Sequence, residues 1–168
     1  MQTRDPKALW ITQGAAIAAL YVVLTLVFAP ISFGPVQVRI AEALCILPMF
    51  TPVAIPGLFI GCLIANLIGG GVIIDVIFGS LATLIGAVGA HYLRNNRWLV
   101  PVPAIIAKTL IVPFVLKYGY GVVDVALPVL AVQIMIGEIA GCFFLGELFC
   151  TALQKRKSHI FGNTTENM

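Results

Sequence analysis

The residues most able to do chemistry in this chain are a few charged and amide side chains set in long apolar runs. Arg39 and Glu42 stand three apart in the stretch FGPVQVRIAEALCILPMFTPVAIPG, after a loop holding Gly34, Pro35 and Gln37 and at the head of an apolar segment. Asp75, Lys108 and Glu138 are each embedded in apolar sequence, as are the amides Asn66 and Gln133. A charge at membrane depth costs about 2.5 to 3.5 kcal/mol even on the lenient insertion scale, so such groups face a cavity, a counter-charge or a ligand. Arg39 and Lys108 against Glu42, Asp75 and Glu138 leave one negative charge. That balance suits a small cation, or a heterocycle whose paired N–H groups need a carboxylate to accept them. The alternative is internal neutralisation, Arg39 with Glu42 and Lys108 with Glu138. Asn66 and Gln133 can both donate and accept, as a purine-like edge requires, or can bond one helix to another. Glu147 lies toward the other end of its apolar run and could meet a partner, and His91 is placed as an interfacial residue.

These groups must be held by membrane-spanning helices. The chain has 168 residues, 60% of them hydrophobic and only 10% charged, with a mean hydropathy of +1.04. Such a composition excludes a water-soluble domain and points to an all-α integral membrane protein forming a single membrane domain over residues 1–168. The charge of +3 is not gathered into a stripe, so nucleic acid is not a partner. Residues 8–29 form an apolar run of about 22 residues, longer than the apolar region of a cleavable signal peptide and expected to be retained.

Six helices are expected, over about residues 8–29, 40–50, 56–69, 72–93, 98–116 and 125–153, followed by a cytoplasmic tail from 154 to 168. The second, roughly 11 residues, would extend only about 16 Å and is a partial span. Pro30 to Val38 is read as a break from the first helix, lying at the surface or over a cavity. Pro48, Pro52 and Pro56 mark a bend, and Gly69, Gly70 and Gly71 a flexible interruption. Small residues recur at helical spacing: Gly14, Ala15, Ala18 and Ala19 in the first helix; Gly57, Gly61, Ala65 and Gly69 in the third; Ala82, Gly86 and Ala90 in the fourth; Gly137 and Gly141 in the sixth. In lipid such ladders let helices approach closely. The stripe on the first helix could pack within the chain or against a second protein.

Arg4, Lys7, Arg94, Arg97, Lys155, Arg156 and Lys157 share one side of the membrane if four crossings and then two separate them. The positive-inside rule then places both termini in the cytoplasm of a multi-pass cell-membrane protein, with the site opening outward. Cys45, Cys62, Cys142 and Cys150 show neither metal-ligand spacing nor a disulfide framework, and are read as small buried hydrophobes with no metal. No phosphate-binding loop, HExxH or GxSxG motif is present, so no enzyme is expected and any uphill transport must draw on an ion gradient or on other subunits.

The segments FGPVQVRIAEALCILPMF, TPVAIPGLFIGCLIANL and GGGVIIDVIFGSLATLIGA resemble the QueT family, the substrate-binding S components of energy-coupling factor (ECF) transporters for queuosine precursors. The resemblance runs over essentially the whole chain. It implies a compact six-transmembrane-helix bundle of S-component type that captures a deazaguanine, in its aminomethyl or cyano form, outside the cell. It also implies docking on a transmembrane scaffold driven by two cytosolic ATPases, with Ala15 and Ala19 matching the small docking residues of helix 1. ATP would be used by those partners, and this chain would hold no cofactor. Substrate contacts would come from Arg39, Glu42, Asn66, Asp75, Lys108, Gln133 and Glu138, with Arg39 steadying Glu42 and the Pro30–Val38 loop as lid. The competing classes are a small ion-coupled secondary carrier, an S component for another vitamin or nucleobase, and a membrane scaffold that moves nothing.

Overall fold

A computed structural model of the protein describes residues 5–32 and 38–154. All of the regular structure among them is helical. Helix α1 (Pro6–Val27) is followed by one further turn, α2 (Ala29–Ser32), then a 3-10 helix (Ile40–Met49), α3 (Ala54–Ile68) and α4 (Ile73–Tyr92). A 3-10 turn (Arg97–Leu99) leads into α5 (Val102–Gly119), and the last run passes from α6 (Leu127–Glu138) through a π-helical stretch (Ile139–Leu145) into α7 (Gly146–Gln154). Four candidate spans emerge among the described residues, Lys7–Val27, Ile73–Tyr92, Arg97–Gly119 and Leu127–Leu153, with Ile40–Met49 and Ala54–Ile68 as shorter apolar helices. The single helix expected over 125–153 is divided among α6, the π-helical stretch and α7.

Two further expectations change. Pro30 does not end the helical conformation at once, because a proline is tolerated in a first turn, where its missing N–H has no helical partner; here it sits inside α2. The lid assigned to Pro30–Val38 otherwise falls on residues 33–37, which lie outside the described residues, as do Arg4 and the tail from 155 to 168. The triple glycine, expected to be a flexible break, is an ordered cap. Gly70 takes the left-handed conformation, φ +78°, and the Gly71 N–H donates to the Asn66 carbonyl at 2.8 Å. This is the closing bond of a Schellman turn, and it satisfies a carbonyl that the end of α3 would leave bare.

The short second helix is the post of the bundle. It is wound as a 3-10 helix for ten residues, far beyond the usual turn or so, and contains Pro48. Every residue from Ala41 to Pro48 is buried, against α1, α3, α4, α7 and the π-helical stretch. His91 fixes its far end, with Nδ1 2.8 Å from the Pro48 carbonyl.

Small residues set the helix spacing around that post. A Cβ on Gly57 would lie 2.9 Å from the Gly14 carbonyl, and one on Gly61 would lie 3.0 Å from the Ala18 carbonyl and 3.1 Å from its Cα. The α1 and α3 backbones are therefore in direct contact, as small-residue ladders allow in lipid. Gly86 closes in the same way on Ala104 of α5, where a Cβ would meet the Ala104 Cα at 2.7 Å. The stripe on α1 consequently splits: Ala18 is buried and Gly14 half-buried against α3, whereas Ala15 and Ala19 face outward. Of the most apolar window of this helix only 11% is buried, against 50% for Ile73–Tyr92.

Candidate functional site

The first turn of the 3-10 helix carries the two groups that organise the interior. Arg39 stands at its N-terminal boundary and Glu42 in its first turn, joined by a bond from the Glu42 N–H to the Arg39 carbonyl at 3.0 Å. From there the two side chains enter different networks, and both remain inside the bundle: Arg39 is 5% exposed and Glu42 1%.

Glu42 anchors the first network. One carboxylate oxygen, Oε1, accepts a hydrogen bond from the Tyr21 hydroxyl of α1 and is paired with the Lys108 ammonium of α5. The other, Oε2, faces the thiols of Cys45 at 2.9 Å and Cys142 at 3.9 Å. Lys108 also reaches Glu138 Oε1 at 3.6 Å, and Cys142 donates to Glu138 Oε2 at 3.4 Å. Lys108 therefore lies between two carboxylates, and this group is formally −1. The approach depends on Gly141: a Cβ there would lie 2.8 Å from the Arg39 carbonyl and 3.4 Å from Glu42 Cβ.

Asp75 anchors the second network. Its Oδ2 lies 3.8 Å from Arg39 Nη2 and accepts a hydrogen bond from the Tyr120 hydroxyl at 2.9 Å. Arg39 Nε donates to the Ser32 carbonyl at 3.4 Å, tying the end of α2 to this network. Asn66 Nδ2 donates to the Asp75 main-chain carbonyl at 3.4 Å and to Cys62 Sγ at 3.7 Å. Gly79 leaves room for both, since a Cβ there would stand 2.7 Å from Asp75 Oδ1 and 3.2 Å from Asn66 Nδ2. The Asn66 side-chain carbonyl is fully buried yet makes no hydrogen bond among the described residues. A buried acceptor left this way costs about 1 to 3 kcal/mol, so it is a natural place for a ligand N–H. Tyr120 lies just past α5; burial first, and the Asp75 carboxylate beside it, push its phenol up to about 12, so it stays a donor at neutral pH.

The pairing differs from the sequence expectation. Arg39 was expected to steady Glu42, but its ion pair is with Asp75, while Glu42 is paired with Lys108. Three-residue spacing puts Arg39 and Glu42 on neighbouring turns, yet their side chains point to different helices. Lys108 does meet Glu138, as one of two partners. Gln133 is half-buried on α6, with no hydrogen bond to either network among the described residues. Glu147 turns inward to Arg97, whose Nη2 also donates to the Glu147 carbonyl at 3.0 Å and to Thr151 Oγ1 at 2.6 Å.

Four contributors went unforeseen: Tyr21, Tyr120, Cys45 and Cys142. The thiols were legible in principle, because Cys45 follows Glu42 by three residues and Cys142 follows Glu138 by four, the spacings that share a helix face. Glu42, Cys45 and Cys142 offer ligand atoms within 4.8 Å of one another, a set with some of the softness of a zinc site. The Lys108 ammonium on the same carboxylate opposes a second cation there, so charge favours the hydrogen-bonded network over a metal centre.

Apolar helices of spanning length, closed around three buried carboxylates and two buried cations, define a multi-pass helical membrane protein with a polar interior of the kind that marks solute pathways. The family described as QueT transporter matches residues 11–155 by its sequence model. The chain belongs to that family. It is also similar to the "Queuosine precursor transporter QueT" of Lactococcus lactis subsp. cremoris (strain MG1363), 41% identical over 73 residues. That match spans 42% of this chain and 43% of the relative's length. No solved structure matches.

Proposed function

We propose that the protein is the substrate-capture S component of an ATP-driven ECF uptake transporter, binding a queuosine precursor on the outer side and releasing it inward after docking on an energising module. The observation that carries this reading is the buried set of Arg39, Glu42, Asp75, Lys108 and Glu138, gathered from the 3-10 helix, α4, α5 and α6 with one carboxylate in surplus. A deazaguanine with a protonated aminomethyl arm matches it. Its N–H edge needs buried acceptors, which Asn66 and Asp75 supply, and its cation needs an unbalanced carboxylate. Gln133 would border the site from α6. The family match and the named relative support the substrate class.

The four long spans, the central 3-10 helix and α3 together make up a six-helix S-component bundle, one membrane domain with both termini in the cytoplasm. Basic residues at Arg94 and Arg97 support that orientation. Ala15 and Ala19 form the docking stripe, since they remain exposed on α1 after Gly14 and Ala18 have packed on α3. The chain catalyses no reaction and holds no cofactor of its own; two partner ATPases supply the energy.

Purified protein without partners is expected to bind a deazaguanine in a direct titration, and cellular uptake is expected to stop when the partner ATPases are deleted. Uptake that survives that deletion and collapses with a proton uncoupler would replace this reading with an ion-coupled carrier, for which Glu138 and Asp75 would be the relay.

A further inference from the structure

Among the described residues three carboxylates lie in this interior, and their surroundings are not equivalent. Glu42 is the more fully held: Tyr21 and Lys108 occupy Oε1, and the Cys45 thiol donates to Oε2 at 2.9 Å. Asp75 is held through Oδ2 by Arg39 and Tyr120 and has its charge answered by a guanidinium. Among the described residues Glu138 has only a weak thiol donor at 3.4 Å and a share of Lys108 at 3.6 Å, while Lys108 sits much closer to Glu42. A carboxylate offers about four lone-pair positions, so Glu138 keeps most of its accepting capacity. Charge gives the same answer. With Lys108 assigned to Glu42 and Arg39 to Asp75, each forms a neutral pair, and the remaining negative charge resides on Glu138.

The local backbone also singles out this residue. Glu138 is the last residue of α6, and the helix widens into its π-helical stretch at Ile139. Such widened turns are frequent at functional sites. Within the stretch Cys142 donates back to Glu138, and a Cβ on Gly141 would stand 2.8 Å from the Arg39 carbonyl.

We infer that Glu138 is the charge-selecting residue of the site, the carboxylate that accepts the primary ammonium arm of a deazaguanine, while Glu42 and Asp75 hold the scaffold of cations around it. This rests on the transporter reading above and goes beyond it by assigning the surplus charge to one side chain. An arriving ammonium takes Glu138 over and leaves Lys108 to Glu42, so both carboxylates of that network are singly paired. A neutral ligand of the same shape provides no such compensation.

The test uses the full-length protein in detergent, titrated with the aminomethyl compound and the neutral cyano compound. Glu138→Gln is expected to weaken aminomethyl binding about 10- to 100-fold, the value of one hydrogen bond to a charged group, and to leave cyano binding within about threefold. If that variant does not fold, Glu138→Asp, which shortens the reach by one methylene, is expected to show the same one-sided loss. An equal loss for both compounds, or no loss for the aminomethyl compound, would overturn the assignment of Glu138 and leave the transporter reading standing. Failure of the unaltered protein to bind either compound would overturn both.

Discussion

Replacing Lys108 by Met separates the roles of charge and packing in the interior. The side chain is 3% exposed and stands between Glu42, at 1%, and Glu138, at 5%, so water screens none of these groups appreciably. Methionine keeps nearly the same length and volume, and the change therefore removes the cation and leaves the packing. What remains is two buried carboxylates with thiol and phenol donors and no counter-charge. Removing one partner of a buried ion pair costs about 3 to 5 kcal/mol, because the other charge is left stranded. In a chain of this size each kcal/mol lowers the unfolding midpoint by about 2 to 4 °C, so Lys108→Met is expected to melt about 6 to 20 °C lower. Thermal unfolding in detergent measures this directly. The sharper measurement is the cycle with Glu42→Gln: the double variant is expected to recover at least about 1 kcal/mol relative to the sum of the single losses, since groups in one network couple. A Lys108→Met protein within about 1 kcal/mol of the parent, or strictly additive losses, would show that Lys108 does not neutralise Glu42, and the partition of charge drawn here would fall.

Two further outcomes follow from the helix contacts. Gly61→Val is expected to destabilise the protein by about 1 to 3 kcal/mol and to weaken ligand binding with it; the added Cβ would stand 2.9 Å from Tyr21 Cβ and displace the residue that anchors Glu42. Unchanged melting and affinity would mean that α1 and α3 are less closely packed than described. Ala15→Leu and Ala19→Leu, on the outward side of α1, are expected to preserve affinity in the purified protein and to abolish uptake in cells, since a bulky side chain blocks close helix approach without reaching the interior. Parallel loss of binding and uptake would show that these alanines serve internal packing.

Residue types and their spacing along the chain were enough to determine the class of protein, its apolar segments and the members of the buried charged set. Unbroken apolar length has one use in a membrane, and a charge inside it is costly enough to mark itself. The ladders at Gly57 and Gly61, and at Gly86, were legible for the same reason, because small residues at helical spacing announce a close approach. What they approach was not. Only the tertiary structure decided that Gly14 and Ala18 turn inward while Ala15 and Ala19 stay outside, that Arg39 joins Asp75 rather than Glu42, and that Lys108 bridges Glu42 and Glu138. Periodicity fixes neighbours on one helix face, but pairing between helices depends on their rotation and order around the bundle. Asp75 lies 36 positions from Arg39, and Lys108 lies 66 from Glu42; no local rule connects residues so far apart.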